Sequence, residues 1–123
     1  MEVVGVGIDI VDLHVFSDVI QNSPKVINRI CTDNENTKNV SSLGGIFAAK
    51  EALQKSLANL AAIPLADIKV IRSSKRPRIC LSGAYSHFNE SLKIELSISH
   101  HGNYVVAIVL ALKNEDLQNH GIK

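Results

Sequence analysis

Two acidic residues of this chain stand where charge is ordinarily excluded. Asp9 lies toward the end of the apolar run Gly5-Val6-Gly7-Ile8-Asp9-Ile10-Val11, and Glu51 follows 42 positions later in Phe47-Ala48-Ala49-Lys50-Glu51-Ala52-Leu53-Gln54-Lys55. An aspartate at the end of an otherwise buried strand is costly unless it is solvated, hydrogen-bonded or bound to a cation. Mg²⁺ commonly takes only two carboxylates from a protein and fills its remaining octahedral positions with water and substrate phosphate oxygens. Asp9 and Glu51 suit that role, with lysines close by to hold phosphates. Two plainer readings compete. Asp9 could cap a helix that begins at Val11, and Glu51 with Lys55 could be an i,i+4 pair on a solvated face, worth about 0.3 kcal/mol.

The elements that would position these groups are legible from spacing. Val3 to Val11 is rich in β-branched residues and reads as a strand buried on both faces, with glycines where another backbone or a ligand approaches. Leu13, Phe16, Val19 and Ile20 fall at helical spacing before the break Asn22-Ser23-Pro24, and Val26 to Ile30 suggests another helical turn. Thr32-Asp33-Asn34-Glu35 resembles a capping sequence, and 36–45 reads as loose polar chain. Ile46 to Leu60 is dense in helix formers, with Ser41 or Ser42 as candidate cap and Pro64 beyond its end. Phe47, Glu51 and Lys55 share one face of that helix; Lys50 and Gln54 form the next row.

Strands are expected over Ile68–Arg72, Arg78–Ser82, Ile94–Ser99 and Tyr104–Leu112, with a short helix over Ala84–Ser91. Alternation puts Ile94, Leu96, Ile98 and His100 on one face, and His100-His101-Gly102-Asn103 holds the hairpin turn. Helices first and a meander afterwards give an α+β class, one long helix packed on an antiparallel sheet. A single domain over 1–123 is expected, its last residues, 114–123, forming a polar frayed tail.

Composition limits what such a domain can serve. The chain has 123 residues, 46% hydrophobic and 20% charged, and a net charge of +1, which gives no bulk attraction to nucleic acid or to an acidic membrane. Any polyanion must be met locally. Cys31 and Cys80 lack CxxC spacing and disulfide density, the longest apolar stretch is far too short to span a bilayer, and no basic segment precedes the N-terminal apolar run. A cytoplasmic setting is expected, with Cys31, Cys80 and His14 structural.

Gly5-Val6-Gly7-Ile8-Asp9-Ile10-Val11 resembles the opening GxGxDIV of the holo-[acyl-carrier-protein] synthases, the small 4'-phosphopantetheinyl transferases. Phe47-Ala48-Ala49-Lys50-Glu51-Ala52 with Lys55 is similar to their second signature, and Ser97-Ile98-Ser99-His100 to their SxSH motif, all in family order. The resemblance implies transfer of the 4'-phosphopantetheine arm of coenzyme A onto a serine of an apo acyl carrier protein, with release of 3',5'-ADP. It implies that Asp9 and Glu51 bind Mg²⁺, that Lys55 contacts the coenzyme A pyrophosphate, and that His100 lies at the 3'-phosphate or base. Lys75-Arg76-Pro77 resembles the family's Gly-Lys-Pro turn, which places Arg76 and Pro77 at the coenzyme pocket. A homotrimer with sites between subunits is implied as well. Glu51 and Lys55 are the expected catalytic residues, and the proton acceptor is left between a metal-bound water, Glu51 acting through water, and His100.

The pattern departs from the family at several points. Leu13 to Asp18 lacks the arginines expected on the first helix, Ile46 stands where an arginine precedes the aromatic, and Ser56 to Leu60 has no glycine. These departures leave the metal ligands untouched and define the competing reading, a noncatalytic binding or assembly module that retains the fold and nucleotide affinity.

Overall fold

The computed structural model describes residues 2–32, 35, 39–72 and 76–115. In chain order the elements are β1 (Val3–Asp12), α1 (Leu13–Asn22), α2 (Val26–Ile30), α3 (Val40–Ser56), a 3-10 turn (Leu65–Asp67), β2 (Ile68–Arg72), β3 (Pro77–Leu81), a second 3-10 turn (Gly83–Tyr85), α4 (Phe88–Ser91), β4 (Leu92–His101) and β5 (Tyr104–Lys113). β1, β5 and β4 form an antiparallel sheet in that order, and β2 and β3 pair as a separate hairpin. The expected α+β arrangement is therefore present, with α3 packed chiefly against β1 and β5.

Two glycines set the distance between α3 and β1. A Cβ added at Gly5 would be driven into the carbonyl oxygen of Ser56, and one at Gly7 into that of Ala52. Helix backbone thus rests directly on strand backbone, a separation that any side chain at either position would forbid. Around its circumference α3 buries Leu43, Ile46, Ala49, Ala52 and Leu53, so it lacks the single apolar stripe of a surface helix.

Several boundaries differ from the sequence reading, each for a local reason. α3 starts at Val40, not Ile46, because Asn39 caps it by accepting from the Ser42 N–H at 3.0 Å. The stretch expected to be loose is therefore helical from Val40 onward. It ends at Ser56, short of Leu60. The hairpin turn is confined to Gly102 and Asn103, with Gly102 at φ +56°, and this leaves His100 and His101 within β4. The short helix expected over Ala84–Ser91 divides into the 3-10 turn and α4. Asn114, expected to begin a frayed tail, is tied down by bonds to the Ser91 and Glu90 carbonyls; the tail from 116 onward lies outside the described residues.

β1 is not buried on both faces. Its inner residues Gly7 and Val11 meet the core, whereas Val6, Ile8 and Ile10 are exposed, as are Tyr104 and Ile108 beside them on β5. The sheet's outer face is apolar over β1 and β5, where these side chains stay exposed, and polar along β4.

Glu35, which falls in the chain between α2 and α3, belongs to a buried ion pair that the sequence did not announce. The Lys50 ammonium is fully buried, donates to Glu35 at 2.6 Å and also to the Ile30 carbonyl. Glu35 realises the expected capping contact by accepting from the Thr32 N–H and hydroxyl, and its second oxygen accepts the Val70 N–H of β2 at 2.6 Å. One carboxylate thus ties Thr32, α3 and β2 together. Breaking such a pair leaves a buried charge unpaired. Lys50→Met should cost about 3–5 kcal/mol in urea unfolding, and the double variant Lys50→Met/Glu35→Gln should recover much of that loss. Near-wild-type stability of the single variant would contradict the linchpin role.

Candidate active site

Asp9 sits on the inner face of β1, and Glu51 and Lys55 project from the α3 face that the glycine contacts press against that strand. The capping role considered for Asp9 belongs to Asp12, whose Oδ1 accepts from the His14 and Val15 N–H groups at 3.0 and 3.3 Å. Asp9 is thereby free of a structural cap. Its side chain is only 11% exposed, so the charge is partly withdrawn from water. Lys55 does not lie idle on a solvated face. Its ammonium donates to the Ile8 carbonyl at 2.9 Å and to Asp9 Oδ1 at 3.2 Å.

Glu51 lies within hydrogen-bonding reach of Asp9. Burial pushes the Glu51 carboxyl above its ordinary value, the neighbouring Asp9 carboxylate pushes it further, and Lys55 pulls it part of the way back. Two carboxylates held this close repel each other when both are ionised. The arrangement suits a hard divalent cation: an oxygen-only donor pair, partly desolvated, with one open side. Among the described residues no third His, Cys, Asp or Glu joins them, which leaves coordination positions for water and phosphate.

The other expected site residues gather elsewhere. Asp9 pairs in register with Ala107, and Ala107 with Ile98; two positions on, His100 pairs with Val105. Asp9 and His100 therefore face α3 from the two edge strands, β1 and β4, about 12 Å apart across two strand spacings and two residues along the strand, with β5 and the helix between them. His100 Nε2 stands 3.8 Å from where a Gly45 Cβ would lie, and so does Arg72 Nη2. Pro77 pairs with Arg72 at the end of the β2–β3 hairpin. Arg76 turns to the outer side of β4 and bonds Glu95 at 2.8 Å; Lys75 lies outside the described residues. The chain thus presents an acidic half-site on one flank of α3 and a basic half-site on the other. Sequence reasoning missed Arg72, because its only signal was a cation at a strand end.

The raised Glu51 carboxyl has a consequence for stability. Its protonated form is the one the fold favours, so its contribution is fully present below the ordinary value of 4.5 and is lost as pH rises through the raised folded value. Glu51→Gln should therefore raise the melting temperature of the metal-free protein at pH 7, with the gain shrinking toward zero below pH of about 4. Adding Mg²⁺ at pH 7 should stabilise the wild type more than the variant. A pH-independent difference in calorimetric melting would refute this account of the pair.

Comparison with known proteins agrees with the motifs. A family model described as the 4'-phosphopantetheinyl transferase superfamily matches residues 5–109. The holo-[acyl-carrier-protein] synthase of Anoxybacillus flavithermus is 32% identical over 118 residues, which cover 88% of this chain and 94% of that one. That of Oceanobacillus iheyensis is 34% identical, covering 86% and 93%. Among solved structures, the Bacillus anthracis holo-(acyl-carrier-protein) synthase in complex with CoA (3',5'-ADP) superposes with a TM-score of 0.76 at 28% identity, covering 93% of this chain and all of that one. The Helicobacter pylori enzyme in complex with coenzyme A gives 0.73 at 29%, covering 86% and 98%. With a half-buried aspartate on a GxGxD strand facing the glutamate of a Lys-Glu-Ala helix, and an SxSH strand beyond, this chain belongs to the holo-[acyl-carrier-protein] synthases of the 4'-phosphopantetheinyl transferase superfamily.

Proposed function

We propose that the chain acts as one transferase domain that moves the 4'-phosphopantetheine arm of coenzyme A onto a serine of an apo acyl carrier protein and releases 3',5'-ADP. The observation that carries this reading is the approach of Glu51 to Asp9 on a strand and helix held together by Gly5 and Gly7. Asp9 and Glu51 would hold Mg²⁺. Bound there, the cation supplies charge neutralisation and alignment for the pyrophosphate. Lys55 is more than half exposed and bonded at a single carboxylate oxygen and a carbonyl, and its flexible stem lets the ammonium swing to the pyrophosphate. The serine oxygen bonds to the phosphorus that carries the pantetheine arm as the bond from that phosphorus to 3',5'-ADP breaks. The hydroxyl proton passes to water at Glu51. His100 receives the nucleotide end beside the hairpin end at Pro77, whereas Arg76, bonded to Glu95 on the other face of β4, reaches it only by leaving that partner.

The separation of the two half-sites supports assembly. A ligand joining Asp9 and Glu51 to His100 within one copy would have to cross the buried body of α3. In a closed homotrimer the acidic flank of one copy can meet the basic flank of the next, a heterologous contact repeated around a ring. The uncovered apolar face formed by Val6, Ile8, Ile10, Tyr104 and Ile108 supplies the kind of surface that self-association buries. A cytoplasmic role in charging carriers for fatty acid synthesis is part of the same reading, supported by the free thiols of Cys31 and Cys80; no described helix is long and apolar enough to cross a membrane.

Incubation with coenzyme A, Mg²⁺ and apo carrier protein should add the phosphopantetheine arm, detected by intact-protein mass spectrometry. Glu51→Gln should slow transfer by about 100-fold or more through loss of cation charge compensation. Transfer at near-normal rate in that variant would sink the site assignment, and absence of transfer by the wild type to a panel of carriers would sink the activity.

A further inference from the structure

β3 and β4 run side by side without pairing: among the described residues β3 is bonded in a ladder only to β2, and β4 only to β5. In an antiparallel ladder, successive residues turn their N–H and C=O alternately toward the partner strand and away from it. Val70 donates its N–H to Glu35, so Val70 and its register partner Ile79 point these groups outward. Ile79 thus directs its N–H and C=O away from β2. Lys113 donates to the Glu2 carbonyl on the β1 side of β5, so its register partner Leu92 faces away from β5, and so, two residues on, does Ile94. The Leu92 N–H agrees, since it goes to the Phe88 carbonyl. Ile79 and Ile94 both border one cavity of about 350 Å³.

The β3 edge turns three residues outward, Pro77, Ile79 and Leu81. Pro77 has no N–H to offer. Leu81 is taken by the side chain of Asn89: the Leu81 N–H donates to Asn89 Oδ1 at 2.9 Å, and Asn89 Nδ2 donates to the Leu81 carbonyl at 2.7 Å. Ile79 between them presents a donor and an acceptor in the same arrangement. Leu81 therefore displays the chemistry that this edge accepts, a carboxamide whose C=O and N–H lie side by side and satisfy both backbone groups at once.

The rest of the cavity suits an apolar body. Ile71, Leu92 and Ile94 line it with Cys80, and its size falls within the roughly 300–1,000 Å³ of small-molecule sites. Arg78 lies at its wall and makes a carboxylate the natural rival ligand. We propose that the cavity between β3 and β4 binds a small neutral carboxamide on an apolar or aromatic body, its amide seated on the Ile79 N–H and C=O as the Asn89 amide is seated on Leu81. The site is separate from Asp9, Glu51 and His100, and its argument does not depend on the transferase reading.

Amide-detected NMR titration of the full chain with benzamide, acetophenone and benzoate tests it. Benzamide should shift the Ile79 and Ile94 amide resonances saturably. Acetophenone, which keeps the shape and the carbonyl and lacks the N–H, should bind about 3- to 10-fold more weakly, the worth of one neutral hydrogen bond, and benzoate, which also lacks the donor, should bind more weakly too. Cys80→Phe, which fills the cavity, should abolish the shifts; Ile71→Phe fills it from another wall and serves where Cys80→Phe fails to fold. No shift with benzamide, equal affinity for acetophenone, benzoate binding as tightly as benzamide, or shifts that survive in a folded cavity-filled variant would each overturn the site.

Discussion

The contact on which the rest depends is backbone against backbone. At Gly5 and Gly7 of β1 the carbonyls of Ser56 and Ala52 occupy the volume that a side chain would fill. This approach determines how far Glu51, one position before Ala52, stands from Asp9, two positions after Gly7. Carboxylates repel at that range, so the fold holds an unfavourable pair in place with packing that cannot relax. Desolvation of Glu51, the closeness of Asp9 and the recruitment of Lys55 all follow from the same absence of side chains.

A second level of rigidity comes from Lys50 and Glu35. Lys50 and Glu51 are neighbours in sequence and opposites in environment: the ammonium points into the core and is satisfied by Glu35 and a carbonyl, while the carboxyl faces β1. Rotation of α3 about its axis would break the first arrangement as it improved or spoiled the second. The buried pair therefore fixes the helical phase at which Glu51 is presented. It also joins the β2–β3 hairpin to the helix through the Val70 N–H, and with the hairpin comes Arg72.

Much of this was legible in the residues. The long helix, the hairpin ending in Gly102-Asn103 and the inward row Ile94-Leu96-Ile98-His100 all follow from spacing, because periodicity and turn chemistry are local, whereas spacing alone left Asp9 and Glu51 open to plainer readings and only the resemblance of the motifs paired them. What was not legible depended on tertiary context. Asp9 read as a possible helix cap in the sequence, and the backbone geometry gives that task to Asp12 instead. Glu35 read as a capping residue and is one, but its partnership with Lys50 spans fifteen residues of chain. β1 looked buried on both faces because its outer residues are as apolar as its inner ones. That two halves of one expected site would lie on opposite flanks of a helix could not be read from motif order at all.

The bare outer face of the sheet reaches beyond the site. A copy standing alone keeps Val6, Ile8, Ile10, Tyr104 and Ile108 against water, and each of these contributes to stability only when something covers it. If that cover is another copy, resistance to heat or denaturant becomes a function of protein concentration, since association and folding then share one equilibrium. Dilution would act on this chain as a denaturant does on a monomer, and the fold would be most secure where the protein is most abundant.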